Sequence, residues 1–156
     1  MKHLLKGIGM KYTHVETRKN LPEWVTIESL AEFLHSTMKP YEDRVADIRR
    51  ALDYALSSNP GEGGFIVLAS RNTTLEGAAV ILDTGMSGYI PEHVLLFIAV
   101  RPELRGQGIG GQLMDRVKQQ SSGDIKLHVE HDNPARRLYE RQGFTSKYLE
   151  MRWSSK

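Results

Sequence analysis

Helical spacing of apolar residues dominates the first third of the chain. A weak alternation over residues 12–16 predicts a first strand. Over residues 25–38 apolar side chains recur every three or four positions, which predicts an amphipathic helix that the Lys-Pro pair at 39–40 ends. The same spacing predicts a second helix over residues 41–57. One strand followed by two helices is therefore expected at this end.

Short apolar runs replace this spacing in the rest of the chain. Each run has the length of a strand and is bounded by residues typical of turns. Helical spacing returns only twice, from Ile109 onwards and in the face formed by Ala135, Leu138, Tyr139 and Gln142. The predicted strands cover residues 65–69, 78–82, 94–99, 125–130 and 144–153.

The predicted elements follow the order β-α-α-β-β-β-α-β-α-β, which indicates an α/β (α+β) fold with a mixed sheet. Residues 94–130 form a β-α-β unit within that order. Such a unit joins two parallel strands by a right-handed crossover. A parallel pair is therefore expected near the middle of the sequence.

Composition narrows the class of protein. The 156 residues are expected to form one domain, and 40% apolar with 26% charged residues is ordinary for a globular protein. A net charge of +2 predicts no strong attraction to nucleic acid or membrane. No apolar stretch is long enough to span a membrane, and the apolar start at residues 1–5 is too short for a signal peptide. A cytoplasmic location is expected.

The chain contains no cysteine. Disulfide bonds, thiolate metal sites and an acyl-cysteine intermediate are therefore excluded. The histidines also lack the His-x-x-x-His spacing of a zinc site, so no metal is expected.

The most informative stretch lies where a buried strand passes into a helix. Arg105 and four glycines occupy this junction, within Val-Arg-Pro-Glu-Leu-Arg-Gly-Gln-Gly-Ile-Gly-Gly at residues 100–111. Glycines let backbone N–H groups approach a ligand, and a helix start adds unsatisfied donors with partial positive charge. This combination predicts a site for a phosphate or pyrophosphate.

Two other phosphate-binding motifs compete for this stretch. A P-loop requires Gly-Lys-Ser/Thr, and the next lysine is Lys118, so that motif is absent. Gly106, Gly108 and Gly111 match Gly-x-Gly-x-x-Gly, and Glu130 follows at about the distance expected of a dinucleotide fold. However, only 45 residues remain after Gly111, which is too few for the further βα units of such a fold.

Two sequence blocks resemble the GNAT superfamily of N-acetyltransferases. The first is Arg105-Gly106-Gln107-Gly108-Ile109-Gly110, which is similar to the Arg/Gln-x-x-Gly-x-Gly/Ala signature of that family. The second is residues 133–144, which resemble the family's helix ending in Leu-Tyr-Glu, a spacer and Gly-Phe. Together the blocks cover the C-terminal half, in the order and spacing of the family.

The resemblance implies a fold, a cosubstrate and a reaction. In this family the two parallel strands splay apart and the pantetheine arm of acetyl-coenzyme A lies in the gap, paired with strand backbone. The implied reaction is direct acetyl transfer to a primary amine of a small molecule or peptide within a ternary complex. The residues implied to bind the cofactor are Ile98, Ala99, Val100, Arg105, Gly106, Gln107, Gly108, Ile109, Gly110, Gly111 and Asn133.

The resemblance also implies the reacting groups. Tyr139 is similar to the family tyrosine that protonates the departing thiolate, and the alternative is that it only packs on its helical face. Glu92, with His93 as second choice, lies where some relatives carry a glutamate base. Many relatives have a cofactor-contacting asparagine seven residues before the tyrosine. Here Asp132 holds that place and Asn133 follows it, so the choice between them stays open.

The sequence says least about the side of the site that binds the acceptor. Only residues 145–156 follow the Gly-Phe pair, where relatives often carry a further strand and loop. That side is therefore expected to be more open or to be completed by a second subunit in a homodimer. The alternative function is a non-catalytic acyl-coenzyme A sensor or partner-binding module.

Overall fold

A computed structural model describes residues 9–155 of the chain, so the apolar start at residues 1–5 lies outside the described residues. Five strands form one sheet in the spatial order β1-β2-β3-β4-β5. The elements are β1 Lys11–Val15, α1 Ile27–Thr37, α2 Val45–Ala55, β2 Gly64–Arg71, β3 Thr74–Asp83, β4 His93–Val100, α3 Ile109–Gln120, β5 Ile125–Lys126 and α4 Ala135–Arg141.

The sheet is buried on both faces. On one face α1 and α2 pack over the strands, with Leu34, Ile48 and Leu68 fully buried. On the other face α3 packs through Leu113 and Met114 against alternate residues of the same strands. This second set of residues, called the α3 cluster here, also contacts the side chain of Tyr139 on α4. Within residues 9–155, no helix combines the length and apolar content needed to cross a bilayer.

A β-bulge interrupts β4. Val80 of β3 pairs with Phe97 and Ile81 pairs with Leu95, so Leu96 is the extra residue. The bulge reverses which face each side chain takes. Leu95 before it belongs to the α3 cluster, whereas Phe97 after it packs under α1 and α2.

Strands β4 and β5 are parallel and separate after a short contact. His93 pairs with Ile125 and Val94 with Lys126, and β5 ends there. The remainder of β4 keeps its antiparallel partner β3 on one side only. The splayed parallel pair expected from the resemblance is therefore confirmed, and a gap opens beside the C-terminal half of β4.

One predicted strand is wrong. Residues 144–153 form no strand, and the fold ends at α4 as β-α-α-β-β-β-α-β-α. The predicted strand over 125–130 is likewise reduced to Ile125–Lys126. Alternating apolar residues give a segment the capacity to form a strand, but a strand also needs a neighbouring edge with which to exchange hydrogen bonds. Since β5 is regular over two residues only, its outer edge offers little for residues 144–153 to pair with.

Candidate functional site

The loop between β4 and α3 owes its shape to two glycines. Gly106 and Gly108 have φ values of 77° and 85°, in the left-handed region where other residues are strained. A Cβ added at either position meets no atom within 4 Å. The backbone conformation rather than crowding therefore requires glycine here, and the space in front of the loop stays open.

The same loop leaves the start of α3 uncapped. Gly108 is the N-cap residue and supplies no side-chain hydrogen bond, and no acidic residue lies in the first turn. The first backbone N–H groups of α3, at Ile109, Gly110 and Gly111, therefore have no acceptor within the helix. Such a terminus carries a partial positive charge and suits an anion.

Gly110 and Gly111 have a further role that their sequence pattern did not reveal. A Cβ on Gly110 would lie 3.1 Å from Leu138 Cδ2, and one on Gly111 would lie 3.5 Å from Gln142 Nε2. The absence of a side chain at Gly110 lets α4 pack closely against the first turn of α3, whereas the distance at Gly111 is an ordinary contact. This contact fixes α4, and Tyr139 with it, beside the glycine loop.

Arg105 lies at the loop, but its guanidinium is engaged by the protein itself. Its Nε donates to the carbonyl of Val100 at 3.2 Å, and a terminal nitrogen donates to the carbonyl of Thr37 at the end of α1. Arg105 therefore ties α1 to the loop. Its predicted contact with a phosphate stays a prediction.

The C-terminal half of β4 faces the gap with backbone groups that no second strand of the described chain pairs with, although the carbonyl of Val100 already accepts a hydrogen bond from Arg105. Ile98, Ala99 and Val100 pair with β3 on one side. Their other side has no strand neighbour among residues 9–155, because β5 has already diverged. Backbone groups of alternate residues therefore point into the gap, as expected for residues that pair with an extended ligand.

Tyr139 packs its ring on the α3 cluster, with the ring of Phe144 at 6.1 Å in an edge-to-face arrangement. Burial raises the pKa of Tyr139 to about 12, with a smaller contribution from the negative charge of Glu130. The phenol therefore keeps its proton at neutral pH. A group in this state can donate a proton to a basic leaving group.

Asn133 shapes the turn into α4. Its Oδ1 accepts a hydrogen bond from the backbone N–H of Ala135 at 2.9 Å, and its Nδ2 donates to Glu130 Oε2 at 3.0 Å. The backbone carbonyl of Asp132 accepts a hydrogen bond from the hydroxyl of Tyr41 at 3.1 Å. These contacts explain the local geometry, and the choice between Asp132 and Asn133 as a cofactor ligand stays open.

Glu92 is held by backbone groups at the far end of β4 from the glycine loop. Its Oε2 accepts a hydrogen bond from the N–H of Asp124 at 2.7 Å. Its own backbone N–H and that of Asp124 lower the pKa of Glu92 below its ordinary value of 4.5. A carboxylate stabilised in this way accepts a proton less readily, and its contacts anchor the turn before β5. Its role as a base stays a prediction.

We expect replacement of Glu92 by glutamine to lower stability at neutral pH and to matter little in acid. The folded state has the lower pKa, so the carboxylate contributes stability above about pH 4.5, and this contribution is lost as the pH falls through the folded pKa. Urea unfolding between about pH 7 and about pH 3 measures the difference between the two proteins. Glu103→Gln, an exposed glutamate in the loop after β4, is the control. A destabilisation that stays constant across this pH range contradicts the expectation.

His93 is buried and cross-links three elements. Its Nδ1 lies 2.9 Å from Asp83 Oδ1 on β3, and its Nε2 accepts the backbone N–H of Ser122 at 3.2 Å. With one nitrogen facing a carboxylate and the other accepting an N–H, His93 stabilises the turn that leads into β5. The sequence analysis named His93 as the second candidate base, and nothing in the sequence predicted its contacts with Asp83 and Ser122.

Comparison with known protein families identifies the chain. Residues 61–146, more than half of the sequence, match the family model of the acetyltransferase (GNAT) domain. The chain belongs to the GNAT acetyltransferase family. The matched range includes the splayed strands, the glycine loop and α4. A comparison with curated proteins gives no significant match.

Solved structures share the fold of this GNAT protein. An aminoglycoside N-acetyltransferase in complex with coenzyme A is 15% identical, with a TM-score of 0.65 and 96% of each chain covered. A GNAT-family acetyltransferase from Streptococcus pneumoniae is 18% identical, with a TM-score of 0.62, over 94% of this chain and 98% of that chain. An aminoglycoside acetyltransferase from an uncultured soil metagenomic sample, in complex with sisomicin, is 13% identical, with a TM-score of 0.63, over 94% and 97%. At these identities the likeness concerns the fold.

Acetyl-coenzyme A is the cosubstrate of this family, and the site fits it. The uncapped start of α3 suits a diphosphate. The open space before Gly106 and Gly108 admits it, and the free backbone edge of β4 suits an extended amide-containing arm.

Proposed function

We propose that this protein transfers the acetyl group of acetyl-coenzyme A directly to a primary amine within a ternary complex. The observation that carries the proposal is the gap between β4 and β5. The gap begins where the two strands stop pairing, after Val94 and Lys126, and it leads to the uncapped start of α3. A donor bound along this gap has its diphosphate at the helix terminus and its acyl end near the point where the strands diverge.

The residues of this protein have the following roles in the proposed reaction. Backbone N–H groups of residues 106–111 bind and orient the diphosphate, and the free edge of Ile98, Ala99 and Val100 aligns the arm. The cosubstrate supplies an activated thioester. Tyr139 holds a proton that it can give to the departing sulfur, since its pKa is about 12. The new carbon–nitrogen bond forms as the carbon–sulfur bond breaks, and the neutral amine loses one proton, which balances the proton that the departing sulfur receives.

Direct transfer is supported by the composition of the chain. An acyl-enzyme route in this chemistry commonly uses a cysteine nucleophile, and this chain has none. The amine therefore attacks the thioester itself. Its proton must leave before or during this attack, because amines are mostly protonated at neutral pH. Glu92 is the predicted recipient, and the contacts of its carboxylate with backbone N–H groups stand against an efficient transfer.

The acceptor is proposed to be a small amine or a peptide amine. Two of the similar structures are named as aminoglycoside acetyltransferases, which makes aminoglycosides a reasonable class to include. At 13% and 15% identity the likeness concerns the fold, so the substrates of those proteins are not assigned to this one. The acceptor class therefore has to be found by turnover.

A screen for release of free thiol from acetyl-coenzyme A tests the proposal. Simple amines, polyamines, aminoglycosides and peptides are offered in turn, and at least one is expected to give catalytic turnover. Binding of acetyl-coenzyme A without turnover on any of these classes contradicts the enzyme proposal and favours the acyl-coenzyme A sensor. Mass spectrometry of the acceptor confirms that the acetyl group is on nitrogen.

A further inference from the structure

Two arginines, one on β2 and one on α3, lie close to the ring of Tyr12. Tyr12 lies on β1, and its ring packs on the α3 cluster. The guanidinium carbon of Arg116 on α3 lies 4.6 Å from the centre of this ring, which is a cation–π contact. Arg71 ends β2, two residues after Ala69, which is the partner of Tyr12 on the neighbouring strand. Since side chains alternate along a strand, Arg71 lies on the same face of the sheet as Tyr12.

The charges of Arg71 and Arg116 both act on the phenol of Tyr12. Burial raises the pKa of Tyr12 above its ordinary value of 10.0, and the positive charges of Arg116 and Arg71 oppose this rise. Because both charges act on one hydroxyl group, the two guanidinium groups share one small region of the surface. Two like charges in such a region repel each other, and an anion between them removes the repulsion.

Neither arginine has a carboxylate to balance its charge. Within residues 9–155, seven other arginines form ion pairs with aspartate or glutamate, but Arg71 and Arg116 form none. The rest of the chain, residues 1–8 and 156, contains no aspartate or glutamate. The protein therefore leaves two positive charges uncompensated at this place.

Arg71 also has a donor that the protein does not use. Its Nε is buried and has no hydrogen-bond acceptor in the described part of the chain. A buried donor without a partner costs free energy, because it has lost its contacts with water and gained none in return. A ligand with acceptor oxygens beside Arg71 would supply what this guanidinium lacks.

The arginine pair, Arg71 and Arg116, is connected to the start of α3. The hydroxyl of Tyr12 donates a hydrogen bond to Oε1 of Gln112. The backbone N–H of Gln112 donates to the carbonyl of Gly108 at 3.0 Å, in the first turn of α3. Gln112 and Arg116 are four residues apart on one helix, so they contact Tyr12 from the same side. The arginine pair is therefore held next to the glycine loop.

A phosphate group matches the chemistry of the arginine pair. Each guanidinium presents N–H groups in a planar fork that binds two oxygens of a phosphate at once. Two such groups together balance the two negative charges of a phosphate monoester. A carboxylate has a single charge and would leave one arginine uncompensated.

We propose that Arg71 and Arg116 bind a phosphate group on the surface beside Tyr12. Two sources supply this chemistry. One is the 3′-phosphate on the nucleotide part of coenzyme A, and the other is a separate phosphorylated compound. The proposal goes beyond the proposed function, because it concerns a second anion site and does not depend on acetyl transfer.

Titration with inorganic phosphate tests the site itself. Amide-resolved NMR spectra are expected to show saturable shifts of the backbone amides of Tyr12, Arg71 and Arg116. Arg116→Gln removes one guanidinium from an exposed position and should weaken phosphate binding roughly tenfold or more, the usual effect of losing a charge-assisted contact. Arg116→Lys keeps the charge without the fork and should give an intermediate affinity.

The matched control is Arg50→Gln. It removes the same charge from an exposed arginine of α2, which packs on the other face of the sheet, so phosphate binding should be unchanged. Both side chains are exposed, and the circular dichroism of both variants should match that of the unmodified protein. Equal weakening by Arg116→Gln and Arg50→Gln would mean that phosphate responds only to net charge, which overturns the proposal.

Calorimetry with coenzyme A and 3′-dephospho-coenzyme A identifies the source of the phosphate. If it belongs to coenzyme A, the unmodified protein binds coenzyme A roughly tenfold more tightly than the dephospho form, and Arg116→Gln removes this preference. If it belongs to a separate compound, the two bind equally, and inorganic phosphate still shifts the three amides when coenzyme A is saturating.

Equal affinities for the two coenzymes, together with no saturable shift on addition of inorganic phosphate, overturn the proposal. None of these measurements needs an acceptor. Their failure is therefore separate from failure of the proposed function.

Discussion

Removal of the hydroxyl group of Tyr139 is expected to lower turnover by roughly 100-fold or more, the usual contribution of a positioned general acid. The ring in Tyr139→Phe still packs on the α3 cluster and against Phe144, so the fold and the affinity for acetyl-coenzyme A should change little. Steady-state kinetics and calorimetry on the same preparation measure the two effects separately. The loss should also shrink with acyl donors whose leaving thiol is more acidic, because these need less help from a proton donor.

The control for this variant is Tyr54→Phe. Tyr54 lies on α2, and its hydroxyl donates to the backbone carbonyls of Gly61 and Asp83. Its replacement removes a phenol hydroxyl that contacts none of the cofactor-binding residues, so turnover should be retained. Full activity of Tyr139→Phe, or equal losses in both variants, would assign Tyr139 to packing alone.

The raised pKa of Tyr139 gives this prediction a pH dependence. With a pKa of about 12 the phenol stays protonated throughout the range in which amines lose their proton. Turnover should therefore rise with pH and hold its level up to about pH 10. A fall beginning near pH 9 that is absent from Tyr139→Phe would mean that the phenol ionises earlier than its burial implies.

Alanine at Gly106 or Gly108 is expected to weaken the binding of acetyl-coenzyme A about tenfold or more, which corresponds to about 1.4 kcal/mol. Both residues have positive φ, and a side chain there either shifts the loop backbone or occupies the space in front of it. Either change moves the N–H groups away from the diphosphate. Calorimetric titration measures the affinity of each variant.

A matched variant separates this effect from a general loss of stability. Gly85 has a φ of 71°, and a Cβ added there also meets no atom within 4 Å, but it lies in the loop between β3 and β4. Gly85→Ala should therefore lose about 1–2 kcal/mol of stability, as Gly106→Ala should, and should bind acetyl-coenzyme A normally. Equal affinities for acetyl-coenzyme A in the three alanine variants would show that the glycine loop is not part of the binding site.

Features that the sequence could predict are those set by neighbours along the chain. Helical spacing placed α1 and α2, and the glycines before Ile109 predicted both the loop and the helix that it begins. The β-α-β order predicted the parallel pair of β4 and β5, since the direction of such a pair follows from its connection.

Features that depend on distant parts of the chain were not predictable. Nothing near Gly110 reveals that Leu138 packs against it, and the bulge at Leu96 depends on the register with β3. The apolar residues of 144–153 show a capacity to form a strand, but they do not show whether an edge is free to receive it. The contact of Arg105 with the carbonyl of Thr37 likewise depends on a distant residue, and its contact with a phosphate stays a prediction.

The central claim is that acetyl-coenzyme A lies along β4 with its diphosphate at the start of α3. Amide-resolved NMR spectra recorded during titration with acetyl-coenzyme A test it most directly, with NAD as the competing ligand. The account predicts that the largest shifts fall on the backbone amides of residues 98–111 and that NAD leaves these amides unchanged. Shifts confined to other parts of the protein, or saturation of these amides by NAD alone, would contradict it.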